Sequence, residues 1–159
     1  MLHKLSNIAL CLVLLSAFAG CSRHYEVGDY FKKGSLAGVV VDVTPEGGIL
    51  LLSLDEACAL DADSAAVWAS SFGDAGWHLP DKEEMQQIRR HRSLINQTLE
   101  NRGLGKILTN HTFYWTSTAC SASHFFACGP DGIRCYFSTN NGSLYRARAV
   151  RTVSTEITL

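Results

Sequence analysis

Both helical patterns in this chain stand together in its middle, between residues 63 and 99, with strand-like segments before and after them. A parallel sheet would need strands and helices to alternate, so this segregation restricts the chain to an α+β domain. Asp63 can cap a first helix in which Ala65, Trp68, Ala69 and Phe72 fall at i, i+3, i+4 and i+7. Pro80-Asp81-Lys82-Glu83-Glu84 then sets an N-cap Asp81 three residues before Glu84, a capping box with Asp in place of Ser or Thr. Met85, Ile88, Ile95 and Leu99 continue that second helix at helical spacing, with a break expected near Ser93. Ahead of the helices, Leu36 to Val43 is rich in β-branched residues, Thr44-Pro45-Glu46-Gly47-Gly48 is a turn, and Ile49 to Ser53 resumes the apolar run, which predicts a β-hairpin. Behind them, Phe113-Tyr114-Trp115, His124-Phe125-Phe126, Tyr136-Phe137 and Tyr145 to Val153 are separated by Gly, Asn, Asp and Ser clusters, which predicts four short antiparallel strands.

The N-terminus reads as an export signal. A short basic start (His3, Lys4) precedes an apolar run from Ile8 to Ala19, within the ~7–15 residues of a signal h-region and short of the ~20 that span a membrane. Phe18-Ala19-Gly20-Cys21 resembles the bacterial lipobox, with Phe18 where Leu is usual. The expected organisation is a signal peptide over 1–20, an acylated Cys21 with a tether to residue 33, and one domain over 34–154. An ordinary secretory signal would instead leave Cys21 as a spare thiol. Two acyl chains are the minimum for stable anchoring, since each buried CH₂ contributes about 0.8 kcal/mol. Removing residues 1–20 takes Lys4 from the fourteen basic side chains and none from the fifteen acidic ones, leaving a formal charge of −2 and no sign of a nucleic-acid binder.

Four cysteines then remain, Cys58, Cys120, Cys128 and Cys135, in a chain expected to meet an oxidising compartment. Three pairings are open. Cys128 and Cys135 flank Gly129-Pro130-Asp131-Gly132, and a turn at Asp131-Gly132 would set them opposite each other, so this pair is the first expectation; free buried thiols are the alternative.

Gly76-Trp77-His78-Leu79-Pro80-Asp81, the Glu83-Glu84-Met85 helix start, Tyr114-Trp115-Thr116-Ser117-Thr118 and Arg148-Ala149-Val150-Arg151 occur in order and at consistent spacing. They are similar to the W-x-L-P, Y-W-S-S-T and V-R-A-V-R signatures of a bacterial surface family. From Gly34 to Val153 the chain resembles the C-type lectin-like domains of the Lcl C-terminal, or Fibrobacter major paralogous, type. It departs from them in Thr116 for Ser and Ala147 for Val, and its cysteines are not part of the shared pattern. The resemblance implies a C-type lectin-like fold, secreted or surface-anchored, in a family some of whose members are adhesins for glycans or glycosaminoglycans.

The matched residues Trp77, Leu79, Pro80, Tyr114, Trp115, Arg148 and Arg151 read first as framework, because caps, turns and packing aromatics specify shape. Arg148 and Arg151 would lie on opposite faces of one strand. A calcium-dependent sugar site is disfavoured: Asn110, Asp131, Asn140 and Asn141 are the oxygen donors in the loop region, without a Glu-Pro-Asn or Trp-Asn-Asp triplet. A calcium-free contact would use His111, Tyr114, His124, Asn140, Asn141 and Tyr145, although Asn140-Asn141-Gly142 is also what a bare hairpin turn looks like. Cys120, His124, Cys128 and Cys135 are soft ligands that could hold zinc if they converged, but disulfides compete and strands do not bring x₃ spacings to one face. No cofactor is expected. Arg89-Arg90-His91-Arg92 is either a solvated helix face or a contact for sulfated glycan or anionic headgroups.

Catalysis has little support, since neither a nucleophile elbow nor a paired-acid arrangement is visible. Formylglycine-generating enzymes share the broader fold but use a cysteine pair at other spacings in a much longer chain. The expected function is a non-enzymatic, lipid-anchored recognition or adhesion module of the bacterial cell envelope, at the outer membrane or cell surface, with a glycan or an envelope or host protein as partner. A structural subunit of an envelope assembly is the competing class.

Overall fold

The computed structural model describes residues 24–72, 76–137 and 143–154. Cys21 and the signal segment lie outside them, as do Asn140 and Asn141. The described elements run β1 (Tyr30–Lys33), β2 (Leu36–Val43), β3 (Gly48–Leu52), β4 (Ala57–Leu60), α1 (Ala62–Ser70), α2 (Lys82–Arg90), α3 (Arg92–Arg102), β5 (Tyr114–Ser121), β6 (His124–Gly129), β7 (Gly132–Phe137), β8 (Tyr145–Ala147) and β9 (Val150–Ser154). They form two sheets, ordered β1-β2-β3-β9 and β4-β8-β5-β6-β7, and the class is α+β.

The expected hairpin is β2–β3, with Val39 opposite Leu52 and Val43 opposite Ile49. Its near-continuous apolar sequence follows from burial on both faces. Val40, Ile49 and Leu51 pack with α1 residues Ala62, Ala65 and Ala69 and with Trp77 and Trp115, whereas Val39, Val41, Leu50 and Leu52 pack with Met85, Ile88, Ile95 and Leu99 of α2 and α3. The second sheet shares this division: Trp115 and Ala127 face the first cluster, Tyr114 and Cys128 the second.

Several expectations shift. The segment read as tether holds a strand, β1, whose Phe31 is buried and whose pairing with β2 widens the sheet. The first helix starts two residues early, because Asp61 is the cap and accepts from Ser64 N at 2.7 Å; Asp63 lies in the first turn, where its charge favours the helix N-terminus. The second helix has its capping box at Asp81 and Glu84 and breaks at His91 into α2 and α3. Gly103, at φ 62, ends α3 in the left-handed conformation that glycine adopts without strain. The last expected strand divides: β8 joins the second sheet and β9 the first, and the β5–β8 contact is parallel, not antiparallel.

The division of the last strand places Arg148 in the link between β8 and β9, where it is fully buried. The two arginines therefore do not lie on opposite faces of one strand. Arg151 is on β9, partly buried. Among the described residues, no helix is long and apolar enough to cross a membrane.

Candidate functional site

α2 carries Lys82, Gln86, Arg89 and Arg90 at i, i+4, i+7 and i+8, one contiguous face beside the stripe of Met85 and Ile88 that enters the core. Arg92 is in conflict with this pattern. In an unbroken helix, positions 85, 88, 92, 95 and 99 would form one stripe, and four of the five are buried apolar residues. The helix breaks at His91, where φ is −99° and ψ 10°, so that Arg92 is the first residue of α3. Ile95 and Leu99 return to the core while Arg92 stays half-buried and reaches the same cavity as Arg89 and Arg90.

That cavity is a groove of about 570 Å³ between α2 and the tip of the β6–β7 hairpin. Lys82, Gln86, Arg89, Arg90, Arg92 and Asn110 line it on one side, and Pro130 and Ile133 on the other. Among the described residues, none of these four cations is ion-paired with a carboxylate. Lys82 is held by its contact with Phe126, its Nζ 4.6 Å from the ring centroid, and its backbone N–H donates to Thr118 Oγ1 at 2.9 Å. Behind the groove a slot of about 30 Å³ opens between Met85, Ile88, Leu108, Tyr114 and Cys128, and Arg89, Arg92 and Asn110 line both spaces. Burial pushes the Cys128 thiol pKa up, partly offset by the positive charges of Arg89 and Arg92.

The inner wall of the slot rests on a buried ionic cluster. Glu56, nearly inaccessible, accepts from Arg146 Nη1 at 2.7 Å and from the Tyr114 hydroxyl at 2.8 Å, and its second oxygen is 3.6 Å from Arg148 Nε. Arg148 also donates through Nη1 to the carbonyls of Ser53 and Leu54, each at 2.8 Å, and through Nη2 to that of Lys106. Burial raises the Tyr114 pKa to about 12, and the neighbouring Glu56 charge adds to the effect. The cluster ties the loops after β3 and α3 to the β8–β9 link.

The expected loop contacts do not assemble around the groove. Tyr114, expected as an exposed aromatic, is buried with its hydroxyl committed to Glu56, because β5 turns its side chain toward α2. Tyr145 is half-buried in an aromatic cluster with Phe113, Trp115 and Tyr136, at centroid distances of 4.8, 4.6 and 5.4 Å. His124 starts β6 with its Nδ1 bonded to the hydroxyls of Ser121 and Ser123, and His111 is exposed in the loop before β5. Trp77 and Trp115 lie in the core, and Trp115 Nε1 donates to the Leu60 carbonyl at 2.8 Å. Leu79 and Pro80 are buried, and the Pro80 carbonyl accepts from Ser117 N.

The disulfide joins Cys120 to Cys135, not Cys128 to Cys135. The hairpin turn is at Pro130-Asp131, closed by Gly129 opposite Gly132, which sets Cys128 against Ile133 and Cys135 against Phe126. One residue of turn placement thus removes the expected partner. Cys128 is a buried free thiol and Cys58 an exposed one. The soft-ligand set Cys120, His124, Cys128 and Cys135 is not brought together, because two of its members are bonded to each other.

Of the anionic-ligand face expected from the sequence, Arg89, Arg90 and Arg92 all reach the groove. Sequence reasoning missed Lys82 and Gln86, for which the i, i+4, i+7 spacing was the available signal, and missed Glu56, for which there was none beyond an acidic pair after an apolar run. Compared with models of known protein families and with curated proteins, the chain matches none.

Proposed function

We propose that this chain is a non-enzymatic recognition module, held to a bacterial envelope membrane by a lipid on Cys21, and that the groove beside α2 binds an anionic glycan. The observation that carries the reading is the set of four cations, Lys82, Arg89, Arg90 and Arg92, lining one groove without carboxylate partners among the described residues, in a chain whose formal net charge is only −1. Charge that the fold leaves uncompensated on one concave surface attracts its counterpart from outside. The order of hairpin, helices and strands supports a C-type lectin-like fold, and the lipobox-like run ending at Cys21 supports the anchor.

Against an assembly subunit, the exposed large hydrophobic residues among those described, Val67, Leu94, Ile107 and Leu144, sit one each on α1, α3, the loop after α3 and the approach to β8. An assembly face would gather such residues into one patch of several hundred Å². The test is binding to an array of neutral and anionic glycans at low and high salt, with and without a chelator. Salt-sensitive, chelator-insensitive binding to anionic glycans supports the reading. An array on which anionic glycans bind no better than neutral ones overturns it.

A further inference from the structure

We infer that the inner end of this groove is an oxyanion subsite, formed by Arg89, Arg92 and Asn110, which takes a terminal phosphate or sulfate group of the ligand end-on. The inference rests on the reading of the groove as an anion site and adds where along it the ligand stops. These three residues line both the groove and the slot behind it, so they stand at the junction of the two spaces. The slot, at about 30 Å³, has room for two or three waters at ~10–15 Å³ each and for no sugar ring. A ligand entering from the groove therefore ends where the two guanidinium groups begin.

The chemistry of the junction fits a compact oxyanion. A guanidinium offers a planar fork of donors that meets phosphate-like oxygens two at a time, and the Asn110 amide, which has no hydrogen-bond partner among the described residues, adds two more N–H groups. Arg92 differs from Arg90 in environment. Arg92 is half-buried on the apolar side of the helix, while Arg90 is exposed to solvent. The lower local dielectric makes the Arg92 charge worth more to a bound anion. Arg89 and Arg92 both line the slot together with the buried Cys128 thiol. Lys82 lies seven residues back along α2, about 10 Å at 1.5 Å per residue, and meets the ligand farther out, across from the apolar wall of Pro130 and Ile133.

The experiment uses the full-length chain in non-ionic detergent, titrated calorimetrically with inorganic phosphate, with inorganic sulfate, and with two oligosaccharides of equal charge that carry sulfate either at the chain end or only internally. The expected result is millimolar binding of at least one inorganic ion, preference for the end-sulfated oligosaccharide, and a tenfold or greater loss of both in Arg92→Gln. Arg90→Gln should weaken the oligosaccharide and the ion alike by no more than about twofold. Arg92→Lys keeps the charge without the fork; recovery of the folded protein with less than a third of the ion affinity supports the subsite even where Arg92→Gln does not fold. Equal losses in the Arg90 and Arg92 variants, or equal affinity for end- and internally sulfated chains, would overturn the subsite while leaving the groove as a diffuse anion site. Absence of binding by every probe removes the groove reading, and the subsite with it.

Discussion

The imidazole of His91 donates from Nδ1 to the backbone carbonyl of Val41, 2.9 Å away and fifty residues earlier in the chain, at the point where α2 gives way to α3. A carbonyl can only accept, so Nδ1 carries the proton, and the contact pins the helix break to the central hairpin. The break makes Arg92 the first residue of α3, which links one backbone contact to the shape of the basic groove. His91→Ala should cost about 1 kcal/mol of stability, the usual net value of one hydrogen bond. It should also weaken anionic-glycan binding more than that loss implies, because Arg92 is no longer held at the groove. Melting curves and glycan titration on the same variant check both parts; an unchanged affinity would separate His91 from the site.

Trp115 is completely buried, with its indole N–H satisfied by the Leu60 carbonyl. Trp115→Ala should destabilise the fold by about 3–5 kcal/mol, the range for truncating a buried aromatic. Trp115→Phe should cost less, as it fills most of the space and forfeits the hydrogen bond. Denaturant unfolding of the pair distinguishes a packing role from a ligand contact. A Trp115→Ala protein that unfolds like the parent but loses binding would sink the framework assignment.

Glu56 is the only carboxylate that the structure places against Arg148 and Arg146 among the described ion pairs. Removing it leaves a fully buried guanidinium without its counter-charge. Glu56→Ala should therefore destabilise by about 3–5 kcal/mol. Tyr114→Phe removes one donor to the same carboxylate and should cost roughly 1.5–3 kcal/mol, the value for a hydrogen bond to a charged group. Chemical denaturation of both variants should rank them in that order.

The class and the central hairpin were legible because apolar runs and turn residues are local signals, and the α2 cap because Asp81 and Glu84 satisfy each other three residues apart. β1 and β4 were not legible. Tyr30–Lys33 is short, and half of it is lysine on an edge strand, while Ala57–Leu60 has no β-branched residue and carries Ala59 at φ 57°. β1 exists because its longer neighbour β2 supplies the ladder, and β4 because it pairs at the sheet edge with β8, ninety residues later in the chain. The arginine face was legible as a charge run, but its depth was not, since the groove needs the β6–β7 hairpin from forty residues later in the chain as its second wall. The cysteine pairing failed for a related reason: spacing constrains a disulfide only after the turn residues are known, and a turn centred one position earlier set Cys128 against Ile133.

The Cys120–Cys135 disulfide closes a loop with a sequence separation of 15. In the chain-entropy description a loop of that size corresponds to about 3 kcal/mol. Reduction, or Cys120→Ser with Cys135→Ser, should lower the melting temperature accordingly, whereas Cys58→Ser should leave it unchanged because that thiol is exposed. Peptide mapping under non-reducing conditions should recover the 120–135 link. Alkylation of the native protein should label Cys58 quickly and Cys128 only in denaturant. A 128–135 peptide would overturn the assigned hairpin register as well as the pairing.

His78 and Glu84 make stability depend on pH in a direction the geometry fixes. His78 Nε2 lies 3.1 Å from both carboxylate oxygens of Glu84, and one of these also accepts from Asp81 N. The hydrogen bond to Glu84 raises the His78 pKa above 6.5, against the opposing effect of partial burial. Burial works to raise the Glu84 pKa too, but the bonds from His78 and from Asp81 N–H outweigh it and hold the carboxyl below 4.5. A raised histidine pKa means that the folded state binds a proton more tightly than the unfolded one, so this contribution is complete below pH 6.5 and is lost as pH rises through the folded value. A depressed carboxyl pKa contributes above about pH 4.5 and is lost as pH falls through its own lower value. The pair should therefore stabilise the fold most between about pH 4.5 and 6.5, and His78→Gln should flatten the decline in melting temperature above pH 6.5. Melting curves of the parent and His78→Gln from pH 4 to 8.5 make the check: parallel curves across that range would show that His78 and Glu84 share no proton linkage with folding.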